Sequence, residues 1–317
     1  MKALVIGCTG QDGALLARSL LAQGSEVVGI SRSTNPNITT LADLCIAADL
    51  ELAPADLCDF RQLLGLIQAH EPDEIYNLAA QSSVGLSFRQ PVDTFNSIIN
   101  GTINLLEVSR YINYQGRLYF ASSSEIFGST PAPATVLTPR FPRSPYAIAK
   151  DASLNTVRLY REAYGLNCVS GILFNHESPW RPANFVTRKI VTGALRCSRD
   201  PGFRLQLGNL QVARDWGWAE EYVEAMQVIV RSNCLSDQLV CTGRTETLTY
   251  FVAKVFSLLD LNWIDYVDQD DSLLRPSDIL TSSGDPEPLA QAHGWRATIS
   301  IDGVIERLLE DAIQRAA

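Results

Sequence analysis

The chain opens with a short apolar run that leads directly into a glycine-rich turn. Residues Lys2 to Ile6 have the composition of a buried strand, and Gly7-Cys8-Thr9-Gly10-Gln11-Asp12-Gly13 follows at once. The amphipathic pattern that continues to about Leu21 predicts a helix. A strand, a glycine turn and a helix in this order let the backbone approach a pyrophosphate and point free N–H groups at its charge. A plain tight turn is the alternative, but the position of the glycines favours dinucleotide binding.

Short apolar runs alternate with longer helical patterns along the rest of the chain. We expect strands at 26–30, 74–78, 117–122, 167–174 and 239–241, and helices at 91–111, 146–164, 247–259 and 302–317. Strands that alternate with helices indicate an α/β fold with a parallel sheet. The polar segment 34–50 receives no assignment from its pattern.

Composition excludes several classes of protein. The 317 residues are 46% hydrophobic and 19% charged, which is enough for one large or two modest domains, and the net charge of −9 argues against nucleic-acid and membrane partners. Seven cysteines without a CxxC pair suggest reduced thiols in a cytosolic protein. Three histidines without metal-ligand spacing predict no metal site. No segment looks like a signal peptide or a membrane span, so we expect a cytoplasmic protein.

A second motif has the residue types that proton transfer needs. Ser144-Pro145 predicts the start of a helix, which places Tyr146 and Lys150 one turn apart on one face. An ammonium near a phenol is expected to lower the pKa of the phenol, so that Tyr146 can take a hydroxyl proton while a cofactor takes a hydride. An ordinary helix start with a half-buried tyrosine and a solvated lysine is the alternative.

Other candidate residues follow predicted strands. Ser123 and Glu125 come at the carboxyl end of the strand at 117–122, the edge at which open parallel sheets bind ligands. Arg32 follows the second strand, where an acidic residue would contact the ribose of NAD, so the cofactor is predicted to be NADP. An exposed arginine in a loop is the competing interpretation of Arg32.

Several later stretches are more specific. They are Asn175-His176-Glu177-Ser178-Pro179, Phe185-Val186-Thr187-Arg188-Lys189-Ile190, Leu207-Gly208-Asn209 and Arg214-Asp215-Trp216-Gly217. Together with GxTGQDG, NLAAQS, SSE and YAxAK, they resemble the GDP-mannose 4,6-dehydratases, a branch of the extended short-chain dehydrogenase/reductases. The resemblance is collinear from Lys2 to about Met226 and resumes at 274–276 and 284–286.

The resemblance implies both a fold and an activity. The fold would be a Rossmann-type doubly wound parallel sheet with a smaller, discontinuous C-terminal substrate-binding domain. Residues 1–174 and 214–243 would bind NADP, and residues 175–213 and 244–317 would form the nucleotide-sugar-binding cap. The substrate would be a GDP-linked sugar, most simply GDP-mannose, and the protein would be a homodimer or homotetramer.

The resemblance also implies roles for individual residues. The catalytic set is Ser123, Glu125, Tyr146 and Lys150. The cofactor set is Gly7, Thr9, Gly10, Gln11, Asp12, Gly13, Arg32, Asp56, Leu57, Leu78, Ala79, Ala80, Tyr146 and Lys150. The substrate set is Ser82, Asn175, Val186, Lys189, Gly208, Arg214 and Arg275.

Cationic side chains suit a diphosphate, and four of them occur in or near the motifs: Arg181, Lys189, Arg214 and Arg275. For each arginine, a surface ion pair is the alternative. His176, Glu177 and Arg188 are expected to have structural roles.

The sequence departs from the family pattern at several positions. Ser123 stands where threonine is usual, Ser83 where histidine is frequent, Trp180-Arg181-Pro182 where Arg-Arg-Gly is common, and Ser277-Asp278 where Thr-Glu is usual. These changes leave open which hexose or heptose is the substrate. A GDP-sugar 4-ketoreductase or epimerase is the first rival, and Glu125 decides against it because those reactions need no acid/base there. A non-catalytic dinucleotide sensor is the second.

Overall fold

A parallel sheet of seven strands forms the centre of the molecule. The computed structural model describes residues 1–316. The strand order is β10-β6-β5-β4-β1-β2-β3, and every neighbouring pair is parallel. The strands are β1 (Lys2–Ile6), β2 (Glu26–Ser31), β3 (Glu51–Pro54), β4 (Glu74–Asn77), β5 (Arg117–Ser123), β6 (Cys168–Leu173) and β10 (Gln238–Val240). The predicted α/β fold of the doubly wound type is therefore confirmed.

Helices cover both faces of this sheet. The helices of the chain are α1 (Gln11–Ala22), α2 (Thr39–Asp43), α3 (Phe60–His70), α4 (Val84–Arg89), α5 (Pro91–Phe95), α6 (Gly101–Tyr111), α7 (Pro145–Tyr164), α8 (Val186–Arg199), α9 (Ala219–Val230), α10 (Leu248–Ser257), α11 (Glu287–His293) and α12 (Ile301–Ala316). Apolar side chains of α1 and α9 pack on one face, and those of α3, α6 and α7 pack on the other. Strands buried on both faces need nearly continuous apolar runs, and β6 is buried at each of its positions.

The helix predicted at 91–111 is interrupted by one wider turn. α5 ends at Phe95, a π-helical segment spans Asn96–Asn100, and α6 begins at Gly101. Apolar periodicity does not reveal such a turn because the flanking segments keep helical spacing. The wide turn lies beside α7, which carries Tyr146 and Lys150.

The remaining strands belong to two smaller sheets. β7 (Asn175–Glu177), β9 (Ala213–Trp218), β11 (Thr245–Thr247) and β13 (Thr281–Ser282) form one, and β8 (Leu205–Leu207) pairs with β12 (Val267–Gln269). Helices α8, α10 and α12 pack against them around a separate apolar core. The predicted domain limit at 214 falls inside β9, and all partners of this strand lie in the small sheet. After β9 the chain returns to the large sheet with α9 and β10. The division into two domains at 174, 213 and 243 stays a prediction.

The segment 34–50 is more structured than its polar sequence indicates. It contains α2, and Leu41, Leu44, Ile46 and Leu50 are buried on the α1 face of the large sheet. The final helix is described as far as Ala316, and its predicted end at residue 317 lies outside the described residues. Across residues 1–316, no helix has the length and apolarity that crossing a bilayer requires. All seven cysteines are free thiols.

A buried ion pair fastens α7 to the sheet. Arg161 on α7 donates two hydrogen bonds of 2.9 Å to the carboxylate of Asp237, just before β10. The same carboxylate accepts from the backbone N–H of Ser170 on β6 at 3.0 Å. The Asp237 side chain is 5% exposed and that of Arg161 17%, so removal of Asp237 would leave a largely buried guanidinium without a counter-charge, bonded only to the carbonyl oxygen of Cys168.

We expect Asp237→Ala to lower the free energy of unfolding by about 3–5 kcal/mol, because the charge of Arg161 would be uncompensated. The control is Glu287→Ala, which removes the partner of Arg296 from a pair whose side chains are 51% and 53% exposed. That change should cost far less, because water screens an exposed ion pair. Urea unfolding measures both values, and equal losses would contradict the role given to the buried pair.

Candidate functional site

One large cavity opens at the carboxyl ends of the central strands. Its volume is about 550 Å³, and its walls come from the large sheet on one side and from β7, α8 and β9 on the other. All four predicted catalytic residues line it: Ser123, Glu125, Tyr146 and Lys150. A cleft of this size with a few convergent polar groups has the properties of a ligand site.

The glycine turn forms the floor of the cavity. Gly7 has a φ of +87°, and a Cβ on it would lie 2.9 Å from Cα of Ala79. A Cβ on Gly13 would lie 2.2 Å from the carbonyl oxygen of Gly7, so neither position admits a side chain. Gly10 is the N-cap of α1 and has no side chain to occupy the first N–H groups of the helix. These groups face the cavity, and the cradle fits the pyrophosphate of a dinucleotide.

Residues after β6 hold the turn from the other side. His176 is hydrogen-bonded through Nε2 to Oδ2 of Asp12 at 3.0 Å and through Nδ1 to the carbonyl oxygen of Phe174 at 2.7 Å. Ser178 donates to Oε1 of Gln11 at 2.8 Å. Burial opposes the charge on Asp12, yet His176, Gln11 and Arg181 together outweigh it and hold the pKa of Asp12 well below its usual value. The NHES stretch and the glycine turn are thus one hydrogen-bonded unit.

The predicted helix start at Ser144 is present and orients the tyrosine and the lysine. The Ser144 hydroxyl accepts from the N–H of Ala147 at 3.1 Å, which caps α7. Lys150 Nζ donates to the carbonyl oxygen of Ala121 at 2.7 Å and lies 5.8 Å from the centre of the Tyr146 ring. Both side chains face the cavity, as the spacing predicts.

The prediction for the pKa of Tyr146 is wrong in direction. Burial raises the pKa of Tyr146 to about 12, and a hydrogen bond with Ser123 only partly offsets this effect. Burial also lowers the pKa of Lys150 to about 8. The ammonium points at the carbonyl of Ala121, and loss of solvation outweighs its influence on the phenol.

Ser123 and Glu125 occupy the end of β5. The Ser123 hydroxyl accepts from the N–H of Glu125 at 3.4 Å and caps a 3₁₀ turn over Ser124–Phe127. Burial raises the pKa of Glu125, while Arg214 and Arg275 oppose the increase. A carboxyl group can both accept a proton and donate it, so this residue type suits acid/base chemistry.

The predicted cations surround the opposite end of the cavity. Arg214 donates to the carbonyl oxygen of Ile279 at 2.7 Å and to Asp278 at 3.3 Å, and Arg275 lies 3.5 Å from the same carboxylate. Lys189 belongs to the first turn of α8, whose positive end faces the cavity. All seven residues of the predicted substrate set line the cavity: Ser82, Asn175, Val186, Lys189, Gly208, Arg214 and Arg275.

The predicted cofactor set divides into two groups. Gly7, Gly10, Gln11, Asp12, Gly13, Leu78, Ala79 and Ala80 line the cavity, as do Tyr146 and Lys150. Thr9, Arg32, Asp56 and Leu57 are not among the lining residues. Arg32 is exposed. Both Arg32 and Asp56 lie close enough to Cys58 to affect it: burial and Asp56 raise the pKa of the Cys58 thiol, and the charge of Arg32 opposes this increase. Arg32 follows the carboxyl end of β2, and Asp56 and Leu57 follow the carboxyl end of β3, on the same edge of the sheet as the cavity.

Some features of the cavity wall were not predicted from the sequence. Arg89 and Asp278 lie in the wall, and Asp278 bridges Arg214 and Arg275. Ala80 adopts a φ of +103°, an unfavourable backbone conformation for a residue with a Cβ. Neither a bridge between distant arginines nor a strained alanine leaves a sequence pattern.

Two of the three residues expected to be structural face the cavity. His176 contacts Asp12 as described, and Glu177 accepts from Thr187 at 2.6 Å and pairs with Arg181 at 3.4 Å. Arg188 lies outside the large cavity and faces Asp311 at 3.8 Å. Throughout the described part of the chain, no group of three or more His, Cys, Asp and Glu side chains is arranged to hold a metal ion.

Comparison with known proteins gives a consistent result. The family model for GDP-mannose 4,6 dehydratase matches residues 4–308. The chain is 41% identical to GDP-mannose 4,6 dehydratase 2 of Arabidopsis thaliana, covering 99% of this chain and 87% of that one. It is 38% identical to the GDP-mannose 4,6-dehydratase of Sinorhizobium fredii, covering 98% and 96%.

Solved structures agree in fold. The UDP-glucose 4-epimerase of Thermus thermophilus in complex with NAD has a TM-score of 0.86 at 26% identity, over 100% of both chains. The dTDP-glucose 4,6-dehydratase DesIV of Streptomyces venezuelae has a TM-score of 0.87 at 23% identity, over 99% of this chain and 97% of that one. The match of the family model over nearly the whole sequence, together with these relatives, decides the assignment. The chain belongs to the GDP-mannose 4,6-dehydratase family.

Proposed function

We propose that the protein is an NADP-dependent nucleotide-sugar 4,6-dehydratase and that GDP-mannose is its substrate. One observation supports the proposal above the others: a half-buried carboxyl group, Glu125, shares a cavity with Ser123, Tyr146 and Lys150. A reductase needs a proton donor only for the oxygen on C4 of the sugar. A dehydratase also needs a group that removes one proton and delivers another at the neighbouring carbons.

The cofactor would lie along the glycine turn and the end of β4. Backbone N–H groups of the first turn of α1 would hold its pyrophosphate, and Leu78 and Ala79 would contact its flat rings. The bound nicotinamide supplies a cationic ring that accepts the hydride from C4 of the sugar and returns it to C6. Arg32, beside Asp56, is the candidate partner of a 2′-phosphate.

Tyr146 would act at the 4-hydroxyl of the sugar. A phenol with a pKa near 12 holds its proton at neutral pH, so it becomes a base only where positive charge offsets its burial. Lys150, near the Tyr146 ring, and Arg181, whose charge lowers the pKa of Tyr146, are the cations that can supply this charge. Ser123 would hydrogen-bond the C4 oxygen and steady it while the carbonyl group forms.

Glu125 would carry out the elimination. Once C4 is a carbonyl, the C–H bond at C5 is acidic, and the carboxylate form of Glu125 can take that proton. The resulting carboxylic acid can donate its proton to the hydroxyl that leaves C6 as water. When C6 receives the hydride, C5 takes up a proton from solvent by way of Glu125, and Tyr146 releases the 4-hydroxyl proton to solvent. Burial raises the pKa of the carboxyl group, which makes the protonated form easier to reach during the reaction.

The cationic end of the cavity would bind the nucleotide diphosphate. Arg214 is held in place by Asp278 and by the carbonyl of Ile279, so it loses little freedom when a phosphate binds. Lys189 adds a charge at the positive end of α8.

The predicted homodimer or homotetramer finds support in exposed apolar side chains on the adjacent helices α5, α6 and α7, among them Val92, Tyr111 and Leu159.

A GDP-sugar 4-ketoreductase or epimerase is the main rival, because the tyrosine and the lysine serve those reactions equally well. Purified protein incubated with GDP-mannose separates the possibilities. A dehydratase forms a 4-keto-6-deoxy sugar, detected by its absorbance in alkali, without net reduction of the cofactor. An epimerase forms an isomer, and a ketoreductase consumes reduced cofactor with a keto-sugar substrate.

The first test concerns Tyr146. Replacement by phenylalanine keeps the ring and removes the proton-transferring hydroxyl, so turnover should fall by about 10²-fold or more while cofactor binding survives. Tyr164→Phe on the same helix is the control, since Tyr164 is exposed and outside the cavity. Activity assays and cofactor titration measure both effects. An active Tyr146→Phe protein would mean that another group transfers the proton.

The second test separates a dehydratase from a reductase. Glu125→Gln keeps the shape of the side chain but cannot exchange protons, so dehydration should fall by roughly 10²–10⁴-fold. Oxidation at C4 does not use this carboxyl group, and reduced cofactor should therefore still form from bound substrate. Incorporation of solvent deuterium at C5 should fall together with dehydration. A Glu125→Gln variant that dehydrates GDP-mannose at the wild-type rate would mean that another group transfers the protons of the elimination, and a wild-type protein that forms no 4-keto-6-deoxy sugar would favour the ketoreductase or epimerase.

The third test concerns the cofactor. Loss of a charged hydrogen bond to a 2′-phosphate should cost on the order of 1.5–3 kcal/mol, so Arg32→Ala should bind NADP more weakly by about tenfold or more. NAD lacks this phosphate and serves as the internal control, because its affinity should not change. Titration of both cofactors by fluorescence gives the ratio. Equal affinity of the wild type for NAD and NADP would rule out the preference.

A further inference from the structure

A second cavity lies between α8 and α12, outside the site described above. Its volume is about 320 Å³, and it shares no lining residue with the large cavity. Four arginines stand in its wall: Arg188, Arg196 and Arg199 of α8 and Arg315 of α12. The proposed reaction uses none of them. Four guanidinium groups around one space in a protein with a net charge of −9 call for an explanation.

Arg188 is the charge that the protein itself offsets least. It belongs to the first turn of α8, and the positive end of a helix disfavours a cation. Its side chain is 16% exposed, and burial lowers the pKa of Arg188, although a guanidinium stays charged at physiological pH. Among residues 1–316, its Nε and Nη1 are buried without a hydrogen-bond partner, and the paired carboxylate oxygen of Asp311 is 3.8 Å away. A cation in this position needs a further anion.

Arg315 is held in place by two carboxylates. Its Nε donates to Oδ2 of Asp311 at 2.8 Å, and its Nη1 donates to Oδ2 of Asp43 at 2.9 Å. These bonds use two of the three nitrogens and leave Nη2 available. A guanidinium whose orientation is already fixed loses little freedom when an anion binds. Arg188, by contrast, has no hydrogen bond at Nε or Nη1 to hold it, so it can turn its fork toward the cavity.

Arg196 and Arg199 lie toward the other end of the cavity. The negative end of α8 favours both, and the guanidinium of Arg196 stacks on the ring of Phe203 at 4.0 Å. Neither arginine forms an ion pair with a carboxylate in the described part of the chain. The rise of an α-helix separates the Cα atoms of Arg188 and Arg199 by about 16 Å along the axis. The cavity is therefore elongated and carries guanidinium groups at both ends.

The chemistry and the shape of the cavity together indicate its ligand. Guanidinium forks match the oxygens of a phosphate group, and a volume of about 320 Å³ lies at the lower end of the range for small-molecule sites. Leu195 and Ala312 provide an apolar surface between the two ends. We propose that this cavity binds an elongated phosphorylated molecule, with one phosphate between Arg188 and Arg315 and a second anionic group at the end of Arg196 and Arg199.

Tungstate, a tetrahedral oxyanion with a strong anomalous signal, locates the phosphate position directly. In crystals of the full chain soaked with tungstate, we expect an anomalous peak within about 4 Å of the guanidinium groups of Arg188 and Arg315. The absence of a peak there would overturn the proposal, and so would a cavity filled by another group of the protein. This experiment does not depend on the proposed function, because it needs neither GDP-mannose nor turnover.

Calorimetric titration with inorganic phosphate and with fructose 1,6-bisphosphate tests the two ends separately. The bisphosphate should bind about tenfold or more tightly than phosphate, because it reaches both ends. Arg188→Met should weaken both by about tenfold or more, whereas Arg199→Ser should weaken only the bisphosphate. Arg204→Ser is the control and should bind both probes like the wild type. Arg204 follows α8, is 49% exposed and lies outside the cavity.

Unchanged phosphate affinity in Arg188→Met would contradict the site, and unchanged bisphosphate affinity in Arg199→Ser would contradict its second end. Tighter binding of citrate than of either phosphate probe would assign the cavity to carboxylates and overturn the proposal. If Arg188→Met does not fold, Arg188→Lys keeps the charge without the fork and should still weaken phosphate binding. A protein that binds phosphate here but does not dehydrate GDP-mannose would contradict the proposed function alone.

Discussion

The close contact between the glycine turn and the end of β4 is the constraint on which the site depends. Gly7 lies so near Ala79 that no side chain fits between them, and Gly13 lies equally close to the backbone of Gly7. This contact brings the first helix of the chain to the open edge of the sheet. His176 and Ser178 then fasten the turn to the chain beyond β6. The floor and one wall of the cavity are thus set by backbone packing before any ligand is considered.

Loss of solvation sets the electrostatics of the cavity. In an acidic protein, cations such as Arg214 and Lys150 are gathered at a buried surface, where each opposite charge or hydrogen bond has a larger effect than it would in water. Burial shifts Tyr146, Lys150 and Glu125 toward their neutral forms. A charged ligand bound in this cavity would therefore shift the pKa values of these three groups.

Local patterns in the sequence were enough to predict the main elements. The apolar runs of β1 and β6, the glycine turn and the Ser144-Pro145 helix start depend on neighbouring residues, and each is present in the structure. The direction of the Tyr146 pKa, the π-helical turn and the bridge made by Asp278 could not be predicted. They depend on burial and on contacts between residues far apart in the chain, which spacing along the sequence does not record.

The π-helical turn sets the rotation of α5 relative to α6. It holds one residue more per turn than an α-helix, and each residue of an α-helix advances by about 100°. Deletion of one residue from Asn96–Asn100 would restore regular geometry and rotate α5 about its axis by this angle. Thr94, which accepts from Gln81 at 3.2 Å, would then face away from the strained stretch at Ala80. The number of residues in this turn is consequently constrained more strongly than their identity, and substitutions should be tolerated here far better than any change of length.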